Sequence, residues 1–274
     1  MHELRRMRLV LGTYAEVGAC APEAVAEQAL AAAFESLQQS HDRWSFHAAD
    51  SELSRLNRSG GEPVPLSRDT LRLLRLAKLF GQASGERFNC TVGGALVQRG
   101  DLPDHGGPRP LPVGRADDID IDIGRRQARL CRPVRVTLDG IAKGYAVDLA
   151  VKAMRLAGAR SGWINAGGDL RVFGDKVLQV HRREPDGALT PLGGLREAAL
   201  ASSRVGCVPD AAFPAFIVGA DDVVPEVVSV VARSAWRADA LTKVVALVPR
   251  AERAAVAARL GGHWVEPPAM RIAA

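Results

Sequence analysis

The sequence predicts an α+β protein of mixed sheets with helices, read as one domain of two lobes over residues 1–274. Stretches in which apolar and polar residues alternate mark strands, and apolar stripes at helical spacing mark helices. The two kinds mix without a regular strand–helix–strand repeat and without internal repetition, which favours α+β over a doubly wound sheet. The Pro/Gly-rich stretch Asp101 to Arg115 is the only candidate boundary.

The elements follow in order. Met7, Leu9, Leu11, Thr13, Ala15 and Val17 alternate with more polar neighbours and predict one half-buried strand. Pro22 opens a helix, where its missing N–H costs nothing, and Val25, Ala29, Phe34 and Leu37 form its stripe. Ser51 to Asn57 predicts a short helical turn, ended by Gly60-Gly61. Leu71, Leu74, Ala77 and Phe80 stripe a helix over about 69–83. Strict alternation from Asp118 to Ile123 predicts a strand with an acidic, exposed face, and Val134, Val136 and Leu138 predict another. A helix over about 141–156 stops near Gly158. Trp163-Ile164-Asn165 is a short strand and Val227 to Ala232 a further one. Helices from about Ala235 and over about 250–260 precede a closing strand at Trp264-Val265.

Composition narrows the function. Hydrophobic residues are 47% and charged residues 24%, with a formal net charge of +5, which fits a folded chain rather than a disordered one. Aromatics at 5% and basic residues without a long run argue against nucleic-acid binding. Cys20, Cys90, Cys131 and Cys207 are far apart and form no Cys-x-x-Cys pair, so no zinc spacing exists and reduced thiols are expected. No signal-like apolar core follows Arg5-Arg6, and no apolar run has the length of a membrane span, so the expected location is the cytoplasm. No P-loop, dinucleotide fingerprint, His-Glu-x-x-His or Gly-x-Ser-x-Gly motif occurs.

Four glycine- and acid-bearing segments remain. Thr137 to Asp148 lies where a strand hands over to a helix, with Lys143 in the first helical turn. A lysine there opposes the macrodipole, and a phosphate partner would explain it as well as simple solvation would. Asn165-Ala166-Gly167-Gly168-Asp169 reads first as a turn and second as a ligand cradle. Asp239 and Thr242 share a helical face, a carboxylate and a hydroxyl suited to Mg²⁺ or merely to a helix N-terminus. Ser51-Glu52…Asn57 reads as a capped surface turn.

Taken together with Leu11-Gly12-Thr13 and Phe88-Asn89-Cys90-Thr91-Val92-Gly93, this ordered series resembles the ApbE family, the FAD:protein FMN transferases, from about residue 11 to 247. The resemblance implies an α+β, T-fold-like protein that binds FAD in a cleft between lobes with Mg²⁺. It implies transfer of FMN to a Thr or Ser hydroxyl of a target flavoprotein with release of AMP, by attack on the FMN-side phosphorus. It carries FAD contacts onto Leu11, His47, Phe88, Asn89, Thr137 and Lys143, and metal ligation onto the main chain of Gly140 and the side chain of Asp239; Ser51, Glu52, Gly167 and Gly168 are further candidate FAD contacts, and Thr242 a further candidate metal ligand. It sets no oligomeric state.

The chain departs from that pattern at definite places. His47 stands where the family has Tyr, Thr137 where it has Asp, and Asp139 where it has Gly. Phe88-Asn89-Cys90-Thr91 replaces Phe-Asp-Pro-Thr, and Lys243 stands at the threonine of Asp-x-x-x-Thr. Between Ala201-Ser202-Ser203 and Val228 the family's His-x-x-Asp-Pro-x-Thr-Gly element is missing. Asp139 and Asp222 are the candidate bases in its place. An FAD-binding protein without transfer, or hydrolysis of FAD to FMN and AMP, are the alternatives.

Overall fold

In the computed structural model of the chain the described residues are 2–206, 217–219 and 226–266. The chain opens with strands β1 (His2–Val10) and β2 (Thr13–Ala21), then helices α1 (Glu23–Trp44) and α2 (Glu52–Arg58), strand β3 (Val64–Pro65), and helices α3 (Arg68–Ala83) and α4 (Gly93–Arg99). Strands β4 (Ile119–Asp122) and β5 (Gln127–Leu130) precede helix α5 (Ala142–Leu156). Five strands follow: β6 (Ser161–Ala166), β7 (Asp169–Phe173), β8 (Leu178–Arg183), β9 (Leu189–Leu195) and β10 (Ala199–Val205). Strand β11 (Glu226–Ala232), helices α6 (Ala235–Ala246) and α7 (Arg253–Arg259) and strand β12 (Gly262–Val265) close the described chain.

Seven strands build the main sheet in the order β1-β2-β6-β7-β10-β11-β12, antiparallel throughout. The single strand expected over Met7 to Val17 is a hairpin instead. Val10 pairs with Thr13, and Leu11 (φ 58°) and Gly12 (φ 69°) form the two-residue turn. Both central residues have positive φ, the geometry that matches the twist of the flanking strands. A two-residue turn leaves the period of two unbroken along the sequence, so alternation alone runs straight through it.

Helices α1, α5 and α6 cover one face of this sheet, with α5 packed between the other two. Their stripes supply much of the core: Leu30, Phe34 and Leu37 of α1, Ala146, Val147 and Val151 of α5, and Leu241, Val244 and Val245 of α6. Trp44 meets Tyr145 with ring centroids 5.6 Å apart, joining the end of α1 to α5. The opposite face carries a smaller cluster of Trp163, Leu170, Val172 and Leu200 under Val180 and Leu195 of the β8–β9 hairpin. At the tip of that hairpin Pro185, Asp186 and Gly187 are exposed.

A three-stranded sheet, β3-β5-β4, flanks the Pro/Gly stretch. The strand expected over Val134 to Leu138 forms no regular strand; it is extended chain held by main-chain bonds from Gly93 N to Arg135 O and from Thr137 N to Cys90 O, and by side chains. Asn57 Nδ2 donates to Val136 O at 2.8 Å and its Oδ1 accepts from Val136 N at 2.7 Å, so one amide does the work of a neighbouring strand. The buried Arg135 donates to Asn57 O, Gly106 O and Pro108 O, which fastens the Pro/Gly stretch to the body.

Candidate active site

Two helices and the end of one strand converge below the first turn of α5. Asp239, fully buried on α6, extends its two carboxylate oxygens in different directions. Oδ2 accepts from the main-chain N–H of Gly144 at 3.2 Å, and Oδ1 takes the ammonium of Lys243, one helical turn on. Lys243 Nζ also donates to Ser203 Oγ of β10 at 3.1 Å. Lys143 Nζ lies 3.2 Å from Oδ2 of the buried Asp169, at the start of β7.

Two contacts hold these helix ends together from both sides. Asp148 of α5 accepts from Ala235 N and Trp236 N, each at 3.0 Å, and so caps α6 from a neighbouring helix. Gly144 of α5 returns the contact through Asp239. A Cβ at Gly144 would meet the carbonyl of Ala235, lying 2.6 Å from its carbon and 2.8 Å from Trp236 Cα. That position is therefore glycine for close helix approach.

Electrostatics follow from burial. Loss of water first, and the nearby Asp239 charge second, raise the Asp169 carboxyl to about 6 against the pull of Lys143 and Lys243. The Asp169 carboxylate, first of all, holds the Lys143 ammonium well above the usual lysine range. Burial also raises the Asp148 carboxyl, opposed by its two main-chain donors. Two carboxylates and two ammonium groups thus stand together at one end of the main sheet, with Lys143 and Lys243 each part-exposed.

The expected site residues distribute unevenly around this cluster. Gly140, Lys143, Asp239 and Thr242 are in it, and the ring of Phe88 is buried against Gly140, 3.3 Å from where a Cβ would stand. Gly167 and Gly168 form the two-residue turn between β6 and β7, both at positive φ, immediately before Asp169. Gly167 N donates to Tyr14 O at 3.3 Å, and this turn thereby abuts the Leu11–Gly12 turn. Leu11 is half-buried and packs on the core. Asp139 is exposed at the rim, where it accepts from the buried Thr137 Oγ1 at 3.0 Å.

Other expected contacts are committed within the protein. Ser51 caps α2 by accepting from Ser54 N at 3.0 Å, and Glu52 accepts from Ser67 N and Ser67 Oγ at 3.1 and 2.9 Å. The Asn89 side chain holds a local turn, donating to Gly114 O at 2.9 Å and accepting from Thr91 N at 2.8 Å. His47 is exposed in the connection between α1 and α2. Asp222 lies outside the described residues. Two cavities, of about 210 and 160 Å³, lie away from the cluster, one lined by Ser36, Arg43 and Leu149 and one by Asn57, Gly60 and Pro133.

Three members of the cluster were not among the expected site residues: Asp169, Ser203 and Lys243. The spacing of Asp239 and Lys243 is an i, i+4 pair, a readable sign of a contact. Asp169 closes the glycine- and acid-bearing segment that the sequence singles out, but its pairing has no local spacing, because Lys143 is on a different element.

The magnesium expected at Gly140, Asp239 and Thr242 does not fit these donors. Thr242 Oγ1 donates to Asp239 O at 2.7 Å and pairs with Ser203 Oγ at 2.7 Å, so its hydroxyl is turned away from the Asp239 carboxylate. An ammonium, itself a cation, already sits on Asp239 Oδ1. Among the described residues no group of three or more His, Cys, Asp or Glu is placed to hold a metal ion. Thr242, three residues after Asp239, shares the helical face, and its hydroxyl bonds the preceding turn.

Comparison with known proteins agrees with the fold. The Thermotoga maritima ApbE crystal structure superposes with a TM-score of 0.82 at 21% identity, over 96% of this chain and 93% of that one. The flavin transferase ApbE from Vibrio cholerae gives 0.74 at 19% identity, over 93% and 90%. The FAD:protein FMN transferase of Rhodobacter capsulatus is 32% identical over 196 residues, 64% of this chain and 36% of the relative. That of Haemophilus influenzae is 25% identical over 190 residues, 61% and 55%. In these alignments the chain spans between about a third and about a half of the curated relatives' length. No described helix is long and apolar enough to cross a membrane. The sequence profile of the ApbE family matches residues 11–205, well over half of the chain, and with the shared fold this places the protein in the ApbE family.

Proposed function

We propose that this chain, read as one domain over residues 1–274, binds FAD and transfers its FMN moiety to a Thr or Ser hydroxyl of a partner flavoprotein, releasing AMP. The observation that carries the reading is the paired-charge cluster beneath the first turn of α5, in a chain of the ApbE family. A diphosphate laid there meets two ammonium groups, Lys143 and Lys243, whose carboxylate partners are buried and fixed. The N-terminal end of α5 adds the positive end of a helix dipole. Charge that develops on the leaving phosphate is then stabilised by groups that are already oriented.

The step balances simply. The acceptor hydroxyl oxygen forms a bond to the FMN-side phosphorus, the bond from that phosphorus to the bridging oxygen breaks, and AMP departs with that oxygen. The hydroxyl proton passes to a carboxylate. Asp139, exposed at the rim and held by Thr137, is the described candidate, and Asp222 is the other expected one. The resemblance also implies magnesium, but Lys243 already holds Asp239, and the two ammonium groups supply the positive charge toward phosphate.

The test is incubation of the protein with FAD and a candidate flavoprotein. The expected result is a fluorescent, covalently labelled target with one AMP per label. FAD binding without label or AMP would leave a binding protein and overturn transfer. Free FMN and AMP without an acceptor would convert the reading to hydrolysis.

A further inference from the structure

The Lys243 side chain occupies a definite place. It runs across Gly140, where an added Cβ would lie 3.6 Å from Lys243 Cε and 3.7 Å from its Cγ. Its ammonium then reaches Asp239 Oδ1 and Ser203 Oγ. A cation bridging the Gly140 main chain and the Asp239 carboxylate would need that same ground. Charge balance agrees. Asp169 and Asp239 are matched by Lys143 and Lys243, so the cluster is neutral without any ion. A divalent ion set on Asp239 Oδ1 would face an ammonium at close range in a poorly hydrated site, and Asp139, a further carboxylate that acts on Lys143, is held by Thr137 at the rim. The hydroxyls of Ser203 and Thr242 bond each other at 2.7 Å.

We propose that the Lys243 ammonium takes the place of a divalent cation at this site, so that the chain binds the diphosphate of its dinucleotide with Lys143 and Lys243 and needs no metal ion to do so. The part concerning the dinucleotide rests on the function proposed above. The part concerning the cation does not. One lysine supplies the positive charge and the hydrogen bonds toward phosphate that a partly hydrated Mg²⁺ would otherwise provide.

The experiment counts bound Mn²⁺ by electron paramagnetic resonance and measures FAD affinity by calorimetry, in EDTA and in excess Mg²⁺. The unaltered protein is expected to bind no stoichiometric Mn²⁺, and its FAD affinity is expected to agree within about twofold between the two conditions. Lys243→Thr, which places a hydroxyl four residues after Asp239, is expected to bind about one Mn²⁺ per chain. Its FAD affinity in EDTA should fall about 10- to 100-fold, the loss of one charge-assisted contact, and recover with metal. One Mn²⁺ on the unaltered protein that Asp239→Asn removes, or FAD binding that collapses in EDTA, overturns the proposal. If Lys243→Thr does not fold, the unaltered protein alone decides by the same two readings. If FAD binds under neither condition, the function proposed above fails, and the Mn²⁺ count still decides this one: none bound supports it, one bound at Asp239 refutes it.

Discussion

Gly144→Ala is the sharpest test of how the site is held. In an ordinary helix interior this exchange gains about 0.5–1 kcal/mol, because alanine loses less backbone entropy on folding. Here the added methyl group would press on the Ala235 carbonyl, 2.6 Å from its carbon, and stand 2.8 Å from Trp236 Cα. The three nearest atoms are all main chain, so no swing of a side chain relieves the contact. Relief requires α5 and α6 to part, and overpacking of this kind costs roughly 1–3 kcal/mol. Parting also stretches the 3.2 Å bond from Gly144 N to the buried Asp239 carboxylate, and a hydrogen bond to a charged group contributes roughly 1.5–3 kcal/mol. The propensity gain is smaller than either loss, so the net expectation is destabilisation of about 2–4 kcal/mol. Urea denaturation followed by circular dichroism measures it, with Gly124→Ala as the control. A Cβ at Gly124 meets only Asp122 Oδ1, at 3.4 Å, and the change there should stay within about 0.5 kcal/mol. A Gly144→Ala protein as stable as the parent, with the same denaturant slope, would refute the close-approach argument.

Three further outcomes are expected. Asp148→Ala removes the cap that α5 lends to α6 and should cost about 1–2 kcal/mol in thermal or urea unfolding, with Asp148→Asn losing less because one acceptor remains. Asn57→Ala strands both main-chain groups of Val136 and should cost about 2–5 kcal/mol, with amide exchange at Val136 accelerated as the local sign. Asp169 gives a pH signature: its folded-state carboxyl, at about 6, is above the ordinary aspartate value of 3.8, so the folded protein binds the extra proton between those values. Stability from this group is therefore greatest below about pH 4, falls as the pH rises to about 6 and is level beyond, a difference of up to roughly 3 kcal/mol. Urea midpoints across that range should show the fall in the parent relative to Asp169→Asn, and parallel curves would contradict it.

The helices were legible because each stripe is local: Leu71, Leu74, Ala77 and Phe80 lie on one face whatever the rest of the chain does. Strands were legible where their composition is β-branched, as in β11, and not in β9, where Pro191, Gly193 and Gly194 erase the pattern and the ladder shifts register near Val180 and His181. Val134 to Leu138 shows the limit from the other side: its alternation is that of a strand, but it has only scattered main-chain bonds to Cys90 and Gly93, and Val136 is paired by the Asn57 side chain, seventy-nine residues away. At the site, glycines and acids marked several segments that meet at the charged cluster, and some of the marked residues do the structural work that their local pattern suggests. Gly144 and Asp148 join helices, Gly167 and Gly168 turn a hairpin, and Ser51 and Glu52 tie down α2 and the start of α3. Asp169 stood in a marked segment, but its pairing with Lys143 did not show, because a charge's partner across space leaves no spacing to read.

The mutual grip of α5 and α6 makes the strands between them a closed excursion of the chain. Asp148 on Ala235 and Trp236, and Gly144 on Asp239, fix both ends of that excursion. A peptide grafted between Asp186 and Gly187, at the exposed hairpin tip, would lengthen the excursion without tugging on either anchor, and the entropy of a longer loop grows only logarithmically. That tip is consequently the place to install a reporter or an affinity handle while leaving the charged quartet undisturbed.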